Sequence, residues 1–192
     1  MAADTPITEQ DLLDCISAAA DSLRGRQINY ALIGGMATAF RGYARTTKDI
    51  DFLLQVPQLQ LPGLLDDLTA RGFTCDVPTT IREWTQEHMT TLSFRGVRID
   101  WLKPVIPMYQ HILDRATEET RLGRTVRVAP VEGLILTKLL AYRAQDQADI
   151  ENLVAVHRET LDLEWIRSEW ATVAAADDPR MGRVLELVGT GG

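Results

Sequence analysis

Three aspartates carry the chemistry this chain could perform. Asp49 and Asp51 stand two apart in the β-prone run Asp49-Ile50-Asp51-Phe52, so on a strand both carboxylates leave one face while Ile50 and Phe52 leave the other. Two such carboxylates repel unless a cation lies between them. Magnesium suits the pair, because it takes hard oxygens from one or two carboxylates and completes its shell with water and phosphate oxygens. The third acid, Asp100, lies in Arg98-Ile99-Asp100-Trp101-Leu102, where apolar neighbours should face a core. An acid in such a run needs a partner or a metal.

Ahead of the pair stands Leu32-Ile33-Gly34-Gly35-Met36, and between them Arg45-Thr46-Thr47-Lys48. Two glycines at a strand-to-helix turn let the backbone approach a bound group closely, and amides at a helix start carry partial positive charge toward a phosphate. Taken singly, Gly-Gly reads as a tight turn and Asp-x-Asp as a solvated strand edge. Taken together, Gly34-Gly35, Asp49-Ile50-Asp51 and Asp100 resemble the pattern of the polymerase-beta-like nucleotidyltransferase superfamily: a Gly-Gly or Gly-Ser turn, a short helix, Asp-x-Asp on the next strand and a later strand carboxylate. Arg45-Thr46-Thr47-Lys48 looks like the segment found in its small bacterial members.

A second stretch adds to the likeness. Glu132-Gly133-Leu134-Ile135-Leu136-Thr137-Lys138-Leu139-Leu140-Ala141-Tyr142-Arg143, followed by Asp146 and Asp149-Ile150, is similar to the helix of AbiEii-like and related toxin–antitoxin nucleotidyltransferases. The resemblance spans about Tyr30 to Leu54, the strand around Asp100 and Pro130 to Leu153, and so bears on mechanism more than on substrate.

The resemblance implies an enzyme that moves a nucleoside monophosphate from an NTP onto a hydroxyl acceptor. Asp49, Asp51 and Asp100 would be both catalytic and metal-binding, holding two magnesium ions, with Asp100 also the general base. Gly34, Gly35, Arg45, Thr47 and Lys138 would bind the nucleotide. Three acceptors follow from it: an RNA, a protein such as a cognate toxin or antitoxin, or a small hydroxylated antibiotic. A toxin–antitoxin role ranks first and aminoglycoside- or lincosamide-type modification second. A catalytically silent relative that binds nucleotide or a partner is the non-enzymatic alternative.

Bulk properties narrow the field. The net charge of −7 argues against long contact with a polyphosphate backbone, which depends on Lys and Arg displacing counterions. Cys15 and Cys75 are too few for a disulfide framework or a thiolate zinc site, and His88, His111 and His157 show no ligand spacing beside them. Trp84, Trp101, Trp165 and Trp170 form no aromatic stripe with basic residues between them, so core packing is their expected role. No basic leader precedes an apolar run and no stretch nears a membrane span, so a soluble, cytoplasmic protein is expected.

The elements that must position these residues form an α/β (α+β) pattern with a mixed sheet. Thr8 caps a predicted helix that stops near Gly25, residues 28–33 form a buried strand, and Met36 to Phe40 a short helix. Residues 50–54 make a second strand and 61–70 a helix. Two runs, 90–94 and 97–102, flank Arg95-Gly96 as a hairpin whose second arm holds Asp100. After a strand at 125–128, Pro130 opens a helix to about Tyr142, and helical periodicity continues at 150–156, 163–174 and 180–188. The expected division is a nucleotidyltransferase core at 1–129 and a helical region at 130–192 packed on it.

Overall fold

The computed structural model describes residues 7–43, 46–175 and 177–189. It opens with helix α1 (Glu9–Gly25), whose start is fixed by a reciprocal cap: the Asp11 amide donates to the Thr8 hydroxyl and the Thr8 amide to the Asp11 carboxylate. Such a cap stabilises a helix by about 1 kcal/mol. Leu12, Leu13, Ile16, Ala19, Ala20 and Leu23 recur at helical spacing and are all buried.

Strand β1 (Asn29–Ile33) runs directly into α2 (Gly34–Phe40), and β2 (Asp49–Gln55) follows the connecting loop. A short 3₁₀ turn leads to α3 (Leu61–Ala70), β3 (Phe73–Thr74) and α4 (Val77–Gln86). Next come β4 (Met89–Phe94), β5 (Val97–Leu102), α5 (Pro107–Asp114), β6 (Thr117–Arg121) and β7 (Arg124–Val128). Helices α6 (Val131–Ala141), α7 (Ala144–His157), α8 (Leu163–Trp170) and α9 (Pro179–Gly189) complete the chain.

The strands form one seven-stranded mixed sheet in the order β3-β4-β5-β2-β1-β7-β6. β1 and β2 are antiparallel, whereas β2 with β5 and β1 with β7 are parallel. The expected hairpin is present, and both Arg95 (φ 49°) and Gly96 (φ 86°) adopt the left-handed conformation of the tight turn that matches strand twist. Leu122 (φ 48°) and Gly123 (φ 73°) close the β6–β7 hairpin in the same way.

Three elements depart from the sequence expectation. β3 has only two residues, and β6 (Thr-Glu-Glu-Thr-Arg) lies at the sheet edge with no buried face to create alternation. Helix α4 begins at Asp76, whose carboxylate accepts from the Thr79 amide, but its β-branched threonines obscure the helical signal. The helix expected from Pro130 to about Tyr142 is present as α6; Tyr142 takes the left-handed conformation (φ 46°, ψ 33°), ends it and redirects the chain into α7, which starts at Ala144 rather than near residue 150.

One hydrophobic core joins the sheet to the later helices. Leu134, Ile135, Leu136 and Leu139 of α6 are buried with Leu32, Phe52 and Ile99 of the sheet. All four tryptophans are buried, and Trp84 meets Trp101 edge-on at 6.0 Å between ring centres. Among the described residues, no helix is long and apolar enough to cross a membrane.

Candidate functional site

Sheet register places the acids. In the antiparallel β1–β2 ladder Ile33 pairs with Asp51, and in the parallel β2–β5 ladder Asp51 pairs with Asp100 and Asp49 with Arg98. Thr91 of β4 pairs with Asp100 in turn. Paired residues project from the same face, so Asp51, Asp100 and Thr91 form a row across three adjacent strands, with Asp49 one step along β2.

Gly34 closes the row at the end of β1. It has φ +67°, and a β-carbon there would lie 1.9 Å from Asp51 Oδ2. Only glycine combines that conformation with that approach, so the turn can lie directly against the carboxylate.

Each outer carboxylate is steered by a neighbour. Thr47 Oγ1 donates to Asp49 Oδ1 at 2.7 Å. Asp100 Oδ1 accepts from Thr91 Oγ1 at 2.6 Å and from Arg98 Nε at 3.0 Å. Asp51 lies between them, and its carboxyl is pushed up to about 7, first by burial and then by the charges of Asp49 and Asp100, with Lys138 and Arg143 pulling the other way. The row therefore concentrates more negative charge than its own cations offset.

The facing wall comes from α6 and α7. Lys138 is buried and its Nζ donates to Asp149 Oδ2, while Asp146 Oδ1 stands 3.8 Å away. Asp146 Oδ2 in turn accepts from the Arg143 backbone amide at 3.0 Å and from Arg143 Nε at 2.8 Å. Burial raises the Asp146 carboxyl, but the Arg143 hydrogen bonds and the Lys138 charge outweigh it and hold the group below its ordinary range. Between this wall and the aspartate row lies a cleft of about 520 Å³.

Gly34, Gly35, Asp49, Asp51, Asp100 and Lys138, all expected from sequence, line this one cleft. Thr47 stands behind Asp49 and lines a neighbouring pocket instead. Arg45 lies outside the described residues. Thr91, Arg98, Arg143 and Asp146 were not singled out for the site by sequence. The signal for Thr91 was present, since a two-residue turn at Arg95-Gly96 forces it opposite Asp100. Asp146 and Asp149 are buried against Lys138.

Among the described residues, no three His, Cys, Asp or Glu side chains close into a metal cage. The aspartates form an open row, and its donor chemistry fits magnesium, which binds through one or two carboxylates and takes its other oxygens from water and phosphate. The raised Asp51 carboxyl points the same way, because a cation is what would let all three acids ionise together.

No protein-family model and no curated protein matches the sequence. Solved structures do resemble it. An antigenic nucleotidyltransferase-like protein from Paracoccidioides brasiliensis is similar at a TM-score of 0.53 and 18% identity, over 95% of each chain. The antibiotic-resistance factor ANT(2″)-Ia is similar at 0.58 and 13% identity, over 86% of this chain and 92% of its own. LnuA, a lincosamide antibiotic adenylyltransferase with lincomycin bound, is similar at 0.52 and 17% identity, over 78% and 98%. At these identities the likeness shows the fold: the chain has the mixed α/β architecture of nucleotidyltransferase-like structures, as the sequence pattern implied.

Proposed function

We propose that this chain is a magnesium-dependent nucleotidyltransferase that transfers a nucleoside monophosphate from an NTP to a hydroxyl acceptor. The observation that carries the reading is the register of Asp51 against Asp100, with Asp49 beside them and Gly34 packed onto Asp51, all facing one cleft. In this reading the triphosphate lies along the Gly34 and Gly35 amides. Asp49, Asp51 and Asp100 would hold magnesium, most simply as two ions, which when bound would supply charge neutralisation for the triphosphate and the departing pyrophosphate.

The chain's own residues do the rest. Asp100 accepts the proton of the acceptor hydroxyl as its oxygen bonds to the α-phosphorus and the bond to pyrophosphate breaks. Thr91 and Arg98 occupy Oδ1 of Asp100, which leaves Oδ2 for that proton. Thr47 holds Asp49 in its orientation, and the buried Lys138 adds positive potential behind the cleft. The sequence pattern assigns Arg45 to the nucleotide as well.

A toxin–antitoxin component acting in the cytoplasm on RNA or protein is the finer form of the proposal. It rests on the Lys138 to Asp149 sequence pattern, and the acidic net charge of −7 favours a protein over an RNA acceptor. Modification of a small hydroxylated antibiotic is the second reading, favoured by the fold neighbours ANT(2″)-Ia and LnuA.

The test is to incubate the protein and its Asp49→Asn variant with magnesium and each labelled NTP. Cellular RNA, cellular protein, aminoglycosides and lincosamides would be supplied in separate reactions, followed by pyrophosphate release and mass spectrometry of the acceptor. Label transfer that needs both magnesium and Asp49 supports the proposal, and the acceptor that gains mass decides between its forms. Absence of transfer and of magnesium-dependent NTP binding would sink it.

A further inference from the structure

We infer that Arg143, rather than Lys138, makes the direct contact with the phosphate tail of a nucleotide in this cleft, as a preset guanidinium fork that distinguishes triphosphate from monophosphate. The inference rests on the nucleotidyl-transfer reading of the cleft and adds to it the group that selects for tail length.

Lys138 is positioned to support rather than to bind. Its side chain is 5% exposed, with Asp149 and Asp146 both at its ammonium group. Drawing Nζ out toward a ligand would break this buried pairing.

Arg143 has the opposite exposure on the same wall. Its side chain is 77% exposed and lines the cleft. Nε donates to Asp146 Oδ2 at 2.8 Å, and Nη2 reaches Asp146 Oδ1 at 3.5 Å. That contact takes one edge of the guanidinium and leaves the remaining terminal N–H groups for a ligand.

Its position is built into the backbone. The left-handed turn at Tyr142, closed by the Tyr142 amide onto the Lys138 carbonyl at 2.7 Å, ends α6 immediately before it. Arg143 then caps α7 in extended conformation, and its amide is fixed on Asp146. A guanidinium held at both its backbone and its Nε loses little freedom when it grips a phosphate. Arg98, another cation of the cleft, is hydrogen-bonded to Asp100 on the carboxylate row and so sits on the opposite side.

Isothermal calorimetry of ATP and AMP, each with magnesium, into wild type, Arg143→Ala, Arg143→Lys and Arg98→Ala tests the inference. Arg143→Ala should weaken ATP roughly 10- to 100-fold, the range of a lost charge-assisted contact, while AMP changes by less than about 3-fold. Arg143→Lys keeps the charge and the contact to Asp146 but not the fork, and should lie between, which keeps the test alive if the alanine variant misfolds. Unchanged ATP affinity in both Arg143 variants, equal losses for ATP and AMP, or tail discrimination lost in Arg98→Ala alone would overturn the assignment. If wild type binds neither ATP nor any other NTP with magnesium, the nucleotidyl-transfer reading falls with it; if it prefers another NTP, that NTP and its monophosphate replace ATP and AMP in the titrations. If wild type binds and only the Arg143 expectations fail, that reading stands and Arg143 does not.

Discussion

Gly34 and Asp51 are packed so closely across the β1–β2 ladder that a single β-carbon on Gly34 would overlap the Asp51 carboxylate, at 1.9 Å from Oδ2. Gly34→Ala should therefore damage the site more than the fold. The left-handed φ of +67° costs an alanine about 1–2 kcal/mol, a drop of a few degrees in melting temperature for a chain of this size. Magnesium-dependent NTP binding should fall by roughly tenfold or more, because Asp51 must turn away. Calorimetry beside a thermal melt checks both, and binding that survives intact would mean the carboxylate can move without consequence.

Asp51 also gives the protein a pH signature. Its carboxyl titrates at about 7 in the folded chain and near 3.9 when unfolded. Stability from this group is full below pH ~4, where both states are protonated, and declines as pH rises toward 7, because the unfolded state ionises first. The decline is at most about 4 kcal/mol, and smaller where water reaches the carboxyl. Asp51→Asn should remove it, and magnesium should stabilise wild type more at pH 8 than at pH 5. Urea unfolding of both proteins at the two pH values is the measurement. Parallel curves for wild type and variant would show that Asp51 titrates normally.

Asp100→Asn keeps shape and hydrogen-bonding capacity but removes the negative charge that accepts the proton. Transfer rate should fall by roughly two or more orders of magnitude while NTP affinity largely survives. Asp49→Asn should lower both. Near wild-type turnover in Asp100→Asn would mean that another group is the base. Asp76 is not a candidate for it, because it caps α4.

Thr91 acts through Asp100, to which it donates at 2.6 Å. Thr91→Val suits an exposed strand position and should leave stability within about 0.5 kcal/mol. It leaves Oδ1 of Asp100 held by Arg98 alone, so kcat should drop roughly tenfold with KM for NTP little changed, and Thr91→Ser should restore most of the rate. Equal effects on kcat and KM would assign Thr91 to substrate binding instead.

Lys138→Ala is foremost a folding lesion. It breaks the buried ion pair with Asp149 and removes the ammonium facing Asp146, and breaking a buried pair costs about 3–5 kcal/mol. Denaturant unfolding of the variant reads this directly. A loss below about 1 kcal/mol would return Lys138 to the role of a ligand-facing cation.

The elements that build the aspartate row were legible in sequence because each has one buried face. Ile50 and Phe52 alternate with Asp49 and Asp51, Ile99 and Trp101 flank Asp100, and the Arg95-Gly96 turn fixes the hairpin. β6 was not legible, since an edge strand of Thr, Glu and Arg buries nothing and its turn carries Leu122 where Asn or Asp is usual. The role of Lys138 was only half legible. The resemblance put it at the nucleotide and the helix end near Tyr142 was expected, but periodicity does not encode the left-handed turn there that brings α7 and two acids against its ammonium group. Arg143 was hidden because the next helical pattern was legible only from about residue 150, whereas α7 starts at Ala144 with Arg143 as its cap.

The parallel pairing of β2 with β5 also bears on how the protein is made. Asp51 and Asp100 are neighbours in the ladder but are separated along the chain by α3, β3, α4 and β4. Such non-local pairing forms late, since the loop must close before any contact rewards it. A chain growing from the ribosome carries Asp49 and Asp51 well before β5 has been translated, and α6 and α7 emerge later still. Truncated or half-finished copies therefore hold Asp49 and Asp51 without the rest of the cleft, and the proposed activity would start only in a molecule whose synthesis has passed α7.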